Sequence, residues 1–296
     1  MQQRLSFYDE IARNKRQSFF LLVAILAVLL ALVYSISFFF ARSYFFIVLI
    51  FGIIFSLFYV VGGYYKSAEL ALSAANARPA PRVQFRRYHD LVEGLCLASG
   101  LPKPKLYVID DSSINAFASG RDPKRAVIAV TTGALEKLDK RELEGVLAHE
   151  LSHIANYDIR FMTLAAVLVG MIAILSEIFL RSLFWSSFSE GDSRNNKSGS
   201  ILMIVGLILA IIAPIIVALV QLAISRKREY AADSSAVKFM RTPTGLIGAL
   251  KKIKGNKAMK VSGAVAPLFI ANPLKSAELF STHPPLDERI KHLERM

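Results

Sequence analysis

Cysteine is almost absent. Cys96 stands alone, so no disulfide can close within the chain and no thiolate cluster can hold a structural metal. Any metal must therefore be bound by histidine and carboxylate. Charge is also scarce, at 20%, and acidic residues are the scarcer sign: 23 Asp and Glu against 36 Lys and Arg, a net charge of +13. With 54% hydrophobic residues and a mean hydropathy of +0.43, the chain lies above the roughly 45–50% apolar content and below the ~25% charge of an ordinary globular protein. Disordered, collagen-like and low-complexity classes are excluded. Nucleic acid is not the reading of the positive charge, because no binding module is recognisable and the basic residues bracket long apolar runs, as in a membrane protein.

Those runs come next. Residues 18–40 carry no charge and exceed the ~20 residues a helix needs to cross a bilayer. Arg13, Lys15 and Arg16 ahead of them resemble the start of a signal peptide, but the run is too long for a cleavable one and no small-x-small site follows, so a retained anchor is expected. A second span is expected over 44–61, with Arg42 the only charge before it, closed by Gly62 and Gly63. A third is expected over 161–184 and a fourth over 201–224, joined by the polar stretch 189–200. Pro214 is expected to kink the fourth. Glu177 and Arg181, four apart, read as an interfacial pair.

Orientation follows the basic flanks. Arg13, Lys15, Arg16, Lys66, Arg78, Arg82, Arg86, Arg87, Arg226, Lys227 and Arg228 lie on one side, against Arg42, Arg181, Arg194 and Lys197 on the other. Both termini and the soluble parts are thus expected in the cytoplasm. The chain divides into a membrane hairpin (1–66), a first soluble part (67–160), a second hairpin (161–224) and a second soluble part (225–296).

Within the soluble parts, a helix is expected to continue over 66–77, followed by a linker at Arg78–Arg82. The apolar spacing of Leu91, Val92, Leu95 and Leu97 predicts a helix ending at Gly100, with Cys96 as a small core residue. Two β-rich runs, 106–109 and 126–131, predict a hairpin or small sheet. From Lys140, the spacing of Leu143, Val146, Leu147, Leu151 and Ile154 predicts an amphipathic helix.

That helix carries His149-Glu150-Leu151-Ser152-His153. Two histidines four residues apart share one helical face and can reach one metal ion, with Glu150 beside them. A catalytic zinc takes a third protein ligand and keeps one position open. A third histidine of the extended motif is excluded, since 156 and 159 are Asn156 and Ile159. Glu177, Glu229 and His283 remain. Glu177 falls on the wrong side of the membrane. Glu229 opens the run EYAAD after the fourth span has returned the chain to the cytoplasmic face, and Ala231 and Ala232 allow close packing of its helix. Asp233, one turn on, is placed to accept the N–H of a ligating imidazole.

Together, HELSH with Asn156 and Asp158, the preceding Asn115, Ala116, Phe117, Ala118 and Gly120, the run EYAAD, and His283, Pro284 and Arg289 resemble the HtpX-type membrane-bound zinc metalloproteases, relatives of the CAAX prenyl proteases. The resemblance spans nearly the whole chain. It implies a mainly α membrane protein with four transmembrane helices and a cytoplasmic α+β zincin-like protease domain with a small β-sheet. It implies one Zn2+ on His149, His153 and Glu229, Glu150 as base, and His283 and Arg289 stabilising the oxyanion. It further implies that Ile114–Ser119 is a substrate-side strand, along which a peptide adds through backbone hydrogen bonds. The implied substrates are misfolded or damaged membrane proteins and unfolded polypeptides, cut at the inner membrane as quality control; the lipid bilayer is a partner and nucleic acid is not. Two alternatives stand beside this: a substrate-specific processing protease of the prenyl-protease type, and a zinc-binding membrane scaffold without turnover. Retention of Glu150 disfavours the scaffold.

Overall fold

A computed structural model describes residues 7–37, 43–164, 226–256, 259, 261, 265–271 and 284–296. Two long helices come first, α1 (Phe7–Ser37) and α2 (Phe45–Tyr65), packed against each other, then a short α3 (Ser67–Ala74). The soluble region follows as β1 (Arg78–Pro79), α4 (Arg86–Ser99), β2 (Lys105–Ile109), β3 (Ala116–Ser119), β4 (Val127–Thr131), α5 (Thr132–Lys137) and α6 (Lys140–Ala155). It resumes as α7 (Arg226–Met240), α8 (Thr244–Lys254) and α9 (Leu286–Leu293). The described fold is mostly helical, with one small mixed sheet.

Among the described residues one helix, α2, is long and apolar enough to cross a membrane by length and composition. It is no core helix: Phe46, Phe51, Phe55 and Phe58 are exposed. The expected span at 44–61 falls on it, and the one at 18–40 falls on α1 as far as Ser37. Beyond Leu164, the spans expected at 161–184 and 201–224 lie outside the described residues.

The sheet runs in the order β1-β2-β4-β3. Strands β2 and β4, expected as a hairpin or small sheet, are neighbours but parallel, from Lys105 beside Val127 to Ile109 beside Thr131. The stretch between them is long enough to hold β3, which takes β4's other side antiparallel. The expected linker at Arg78 forms β1, antiparallel to β2.

Helix α6 begins where Asp139 accepts from the backbone N–H of Arg141 and Glu142 at 2.8 and 2.9 Å, while Glu142 Oε2 accepts from the Asp139 N–H at 2.8 Å. This reciprocal cap satisfies the first orphan donors of the helix. The helix is not the half-exposed amphipathic element the spacing predicts: every residue from Gly145 to Ala155 is buried. β3, α4, α7 and α8 surround it, so its polar side holds the site instead of meeting water. Where α6 crosses α8, backbones touch through glycine, and a Cβ on Gly145 would lie 2.5 Å from the Leu246 nitrogen.

Candidate active site

His149, Glu150 and His153 all lie on α6 and are 0, 2 and 3% exposed. Helix α7 packs across α6 and delivers Glu229, 2% exposed; buried Ala232 lets it approach. The two Nε2 atoms are 3.2 Å apart, and each lies 3.6 Å from an oxygen of Glu229. Tetrahedral zinc with bonds of about 2.0–2.1 Å has ligand-to-ligand edges of about 3.3 Å, so the three donors fit such an ion.

Both outer ring nitrogens are spoken for. His149 Nδ1 meets Asp233 Oδ1 at 2.9 Å and His153 Nδ1 meets Asp158 Oδ2 at 3.2 Å. With each Nδ1 turned to a carboxylate, the two Nε2 atoms face each other and Glu229, an arrangement that would hold a cation once both imidazoles are neutral.

Asp233 stands where the EYAAD spacing puts it. Asp158 was seen in the sequence only as part of a family pattern, and its role comes from the turn that ends α6. Tyr157 has φ +60°, a left-handed conformation unusual for a bulky residue, and it swings the chain back so that Asp158 faces His153.

Arg289, on α9, is fully buried. Its Nε and Nη2 donate to the two oxygens of Asp233 at 2.9 and 2.6 Å, and its Nη1 lies 3.3 Å from Glu229 Oε2 and from the Ile270 carbonyl. Its Nη2 also lies 3.3 and 3.4 Å from the two ring nitrogens of His149, so the guanidinium is wedged among Asp233, Glu229 and that imidazole. His283 lies outside the described residues, as does Glu177.

The electrostatics follow from burial among charges. Burial, helped by Arg289, lowers His149 to about 4 against the pull of Asp233. Burial lowers His153 too, but the hydrogen bond to Asp158 and the charge of Glu229 win and raise it to about 9. Glu150 is raised to about 7 by burial and the nearby Glu229, against the pull of His153, the Ala118 N–H and Arg289. Burial also opposes ionisation of Asp233, yet Arg289 and His149 hold it below the ordinary carboxylate range.

β3 lies against α6 and is the last strand of the sheet. Asn115 O accepts from the Thr131 N–H on the inner side, which turns the backbone groups of Ala116 and Ala118 outward. The Ala118 N–H meets Glu150. The Ala116 carbonyl accepts from the Ile270 N–H at 2.9 Å, and Phe117 pairs with Phe269, ring centroids 5.0 Å apart. Asn115 clamps Ala271, donating to its carbonyl and accepting from its N–H. Residues 269–271 therefore lie along part of the edge expected to receive substrate.

Three comparisons bear on this arrangement. Residues 82–296 match the profile of peptidase family M48. Over 297 residues the chain is 43% identical to the Protease HtpX homolog of Dictyoglomus turgidum, covering 98% of this chain and 95% of that protein. It is 41% identical to the Protease HtpX homolog of Listeria monocytogenes serotype 4a over 305 residues, covering 98% and 99% respectively. Among solved structures, Ste24p from S. mikatae shares the fold with a TM-score of 0.50 at 20% identity, over 95% of this chain and 65% of that one.

Proposed function

The chain belongs to peptidase family M48 and is a metalloendopeptidase, and on that premise we propose that it is a zinc-dependent protease of the inner membrane that cleaves misfolded or damaged membrane proteins at the cytoplasmic face. The observation that carries the metal reading is the triangle of donors from His149, His153 and Glu229 at zinc-ligand spacing, with Glu150 on the same helix.

Zinc held there supplies Lewis acidity, lowering the pKa of a water toward ~7 and polarising a carbonyl. Glu150 takes the proton of the attacking water and returns it to the departing amine; a carboxylate near 7 suits both transfers. Asp233 and Asp158 hold the imidazoles in one tautomer. Arg289 keeps Glu229 and Asp233 in place and, with His283, stabilises the oxyanion. A substrate segment lies extended against Asn115, Ala116, Phe117 and Ala118, so recognition is mainly of backbone and specificity is broad.

Four spans, with both termini and the two soluble parts (67–160 and 225–296) in the cytoplasm, would put this site at the bilayer surface, beside exposed loops of other membrane proteins. The exposed aromatic face of α2 supports contact with lipid.

The test is hydrolysis of casein by detergent-purified, zinc-loaded protein beside Glu150→Gln prepared identically. Cleavage should fall by at least about a hundredfold in the variant, the scale of losing a general base, with zinc content unchanged. Stoichiometric zinc in both without cleavage by either would favour the scaffold reading.

A further inference from the structure

The first helix is longer than a membrane crossing requires. Its 31 residues rise about 46 Å at ~1.5 Å each, against ~30 Å of hydrocarbon. The surplus is at its polar N-terminal end, where two side chains meet the turn behind the candidate metal centre and a third meets Arg228 beside it. Asn14 donates from Nδ2 to the Asn156 carbonyl at 3.0 Å and to Asp158 Oδ1 at 2.8 Å. The Lys15 ammonium lies 4.3 Å from the centre of the Tyr157 ring. Gln17 Oε1 accepts from Arg228 Nη2 at 2.6 Å, and Arg228, which precedes Glu229, has its Nε 3.8 Å from Asp158 Oδ1.

Asn14 is an expensive residue to bury for packing alone. It is 3% exposed, on the same face as buried Ser18 and Leu21, and its own Oδ1 meets no donor among the described residues. An orphaned buried acceptor forfeits its hydration with nothing in return. What the amide does here is donate twice, both times to the 156–158 turn. Asp158 is 1% exposed and uses its two oxygens differently: Oδ2 takes His153, Oδ1 takes Asn14. Removal of Asn14 frees the carboxylate to rotate away from the imidazole.

We propose that Asn14 is a positioning residue of the active site, acting through Asp158 on His153, so that docking of the first helix sets how tightly the centre holds its metal. This rests on the zinc reading above. The contact joins residues 144 apart in the chain, and it makes the membrane-side helix part of the catalytic unit rather than an anchor only.

The experiment uses full-length protein in detergent, stripped of metal. Zinc is titrated in competition with a chromophoric chelator, and the visible spectrum of the cobalt(II)-substituted protein is recorded. Variants are Asn14→Leu, Asp158→Asn, the double variant, and Arg16→Ala, an exposed position on the same helix, as control. Groups that hold metal ligands are typically worth 10–100-fold in affinity, so Asn14→Leu should weaken zinc about tenfold and alter the cobalt spectrum. In the Asp158→Asn background it should add less than about twofold, because its route to the metal is already cut. Arg16→Ala should match wild type. Should Asn14→Leu fail to fold, Asn14→Ser, which keeps one donor, carries the same comparison with a smaller loss. Unchanged affinity and spectrum in a folded Asn14 variant, or losses that multiply in full in the double variant, overturn the proposal. Wild-type protein that takes up no zinc overturns the metal reading instead, so the two failures are told apart.

Discussion

A histidine held above its ordinary value and a glutamate held above its own make the metal-free site a proton store. His153, raised from 6.5 to about 9, stabilises the fold fully below pH 6.5 and loses that contribution as pH rises through about 9. Glu150, raised from 4.5 to about 7, acts with the same sign over a lower window. His149, lowered to about 4, acts below 6.5, where falling pH removes stability. The metal-free melting temperature should therefore fall between pH 6.5 and 9. With excess zinc it should rise over the same range, because protons no longer compete for the imidazole. Thermal melts in detergent across this range check both arms; a metal-free Tm that climbs with pH counts against the assignment. At this scale much was legible, since helical spacing alone brings His149, Glu150 and His153 together and a second turn relates Glu229 to Asp233. Asp158 was not, because its reach to His153 depends on a left-handed Tyr157, which no side-chain pattern announces.

Helix α6 shows what local chemistry can and cannot declare. Its start is written in Asp139 and Glu142, and its apolar spacing is visible, but complete burial follows from elements packed on it from distant parts of the chain. The parallel pairing of β2 and β4 was equally hidden, because alternation of side chains carries no strand direction, and β1 is too short to leave a pattern. The contact with α8 is a sharp point for a test. Gly145→Ala places a methyl against the Leu246 backbone and should cost about 1–3 kcal/mol, as overpacking does, read as a lower unfolding midpoint with the zinc ligands intact. The outer edge of β3 invites another. Ile270→Pro deletes the N–H that occupies the Ala116 carbonyl, and if residues 269–271 compete with substrate, KM for an extended peptide should fall severalfold while kcat changes by less than about twofold. A raised KM would mean that this segment helps to form the cleft.

The whole molecule poses a question of sides. Basic flanks predict the orientation, and the one cysteine is buried, so a Cys96→Ser background accepts single reporters. Val83→Cys and Tyr44→Cys sit at positions 98% and 59% exposed. In intact cells a membrane-impermeant maleimide should label Tyr44→Cys alone and reach Val83→Cys only after permeabilisation. The reverse pattern would place the site outside. The long range of the site's contacts has a further consequence, for biosynthesis. Asn14 reaches Asp158, and Arg289 bears on His149 from 140 residues away. A chain still on the ribosome, not yet extended through Arg289, carries Glu229 and Asp233 without their countercharge. Charge balance at the site is therefore among the last features of the described fold to be completed.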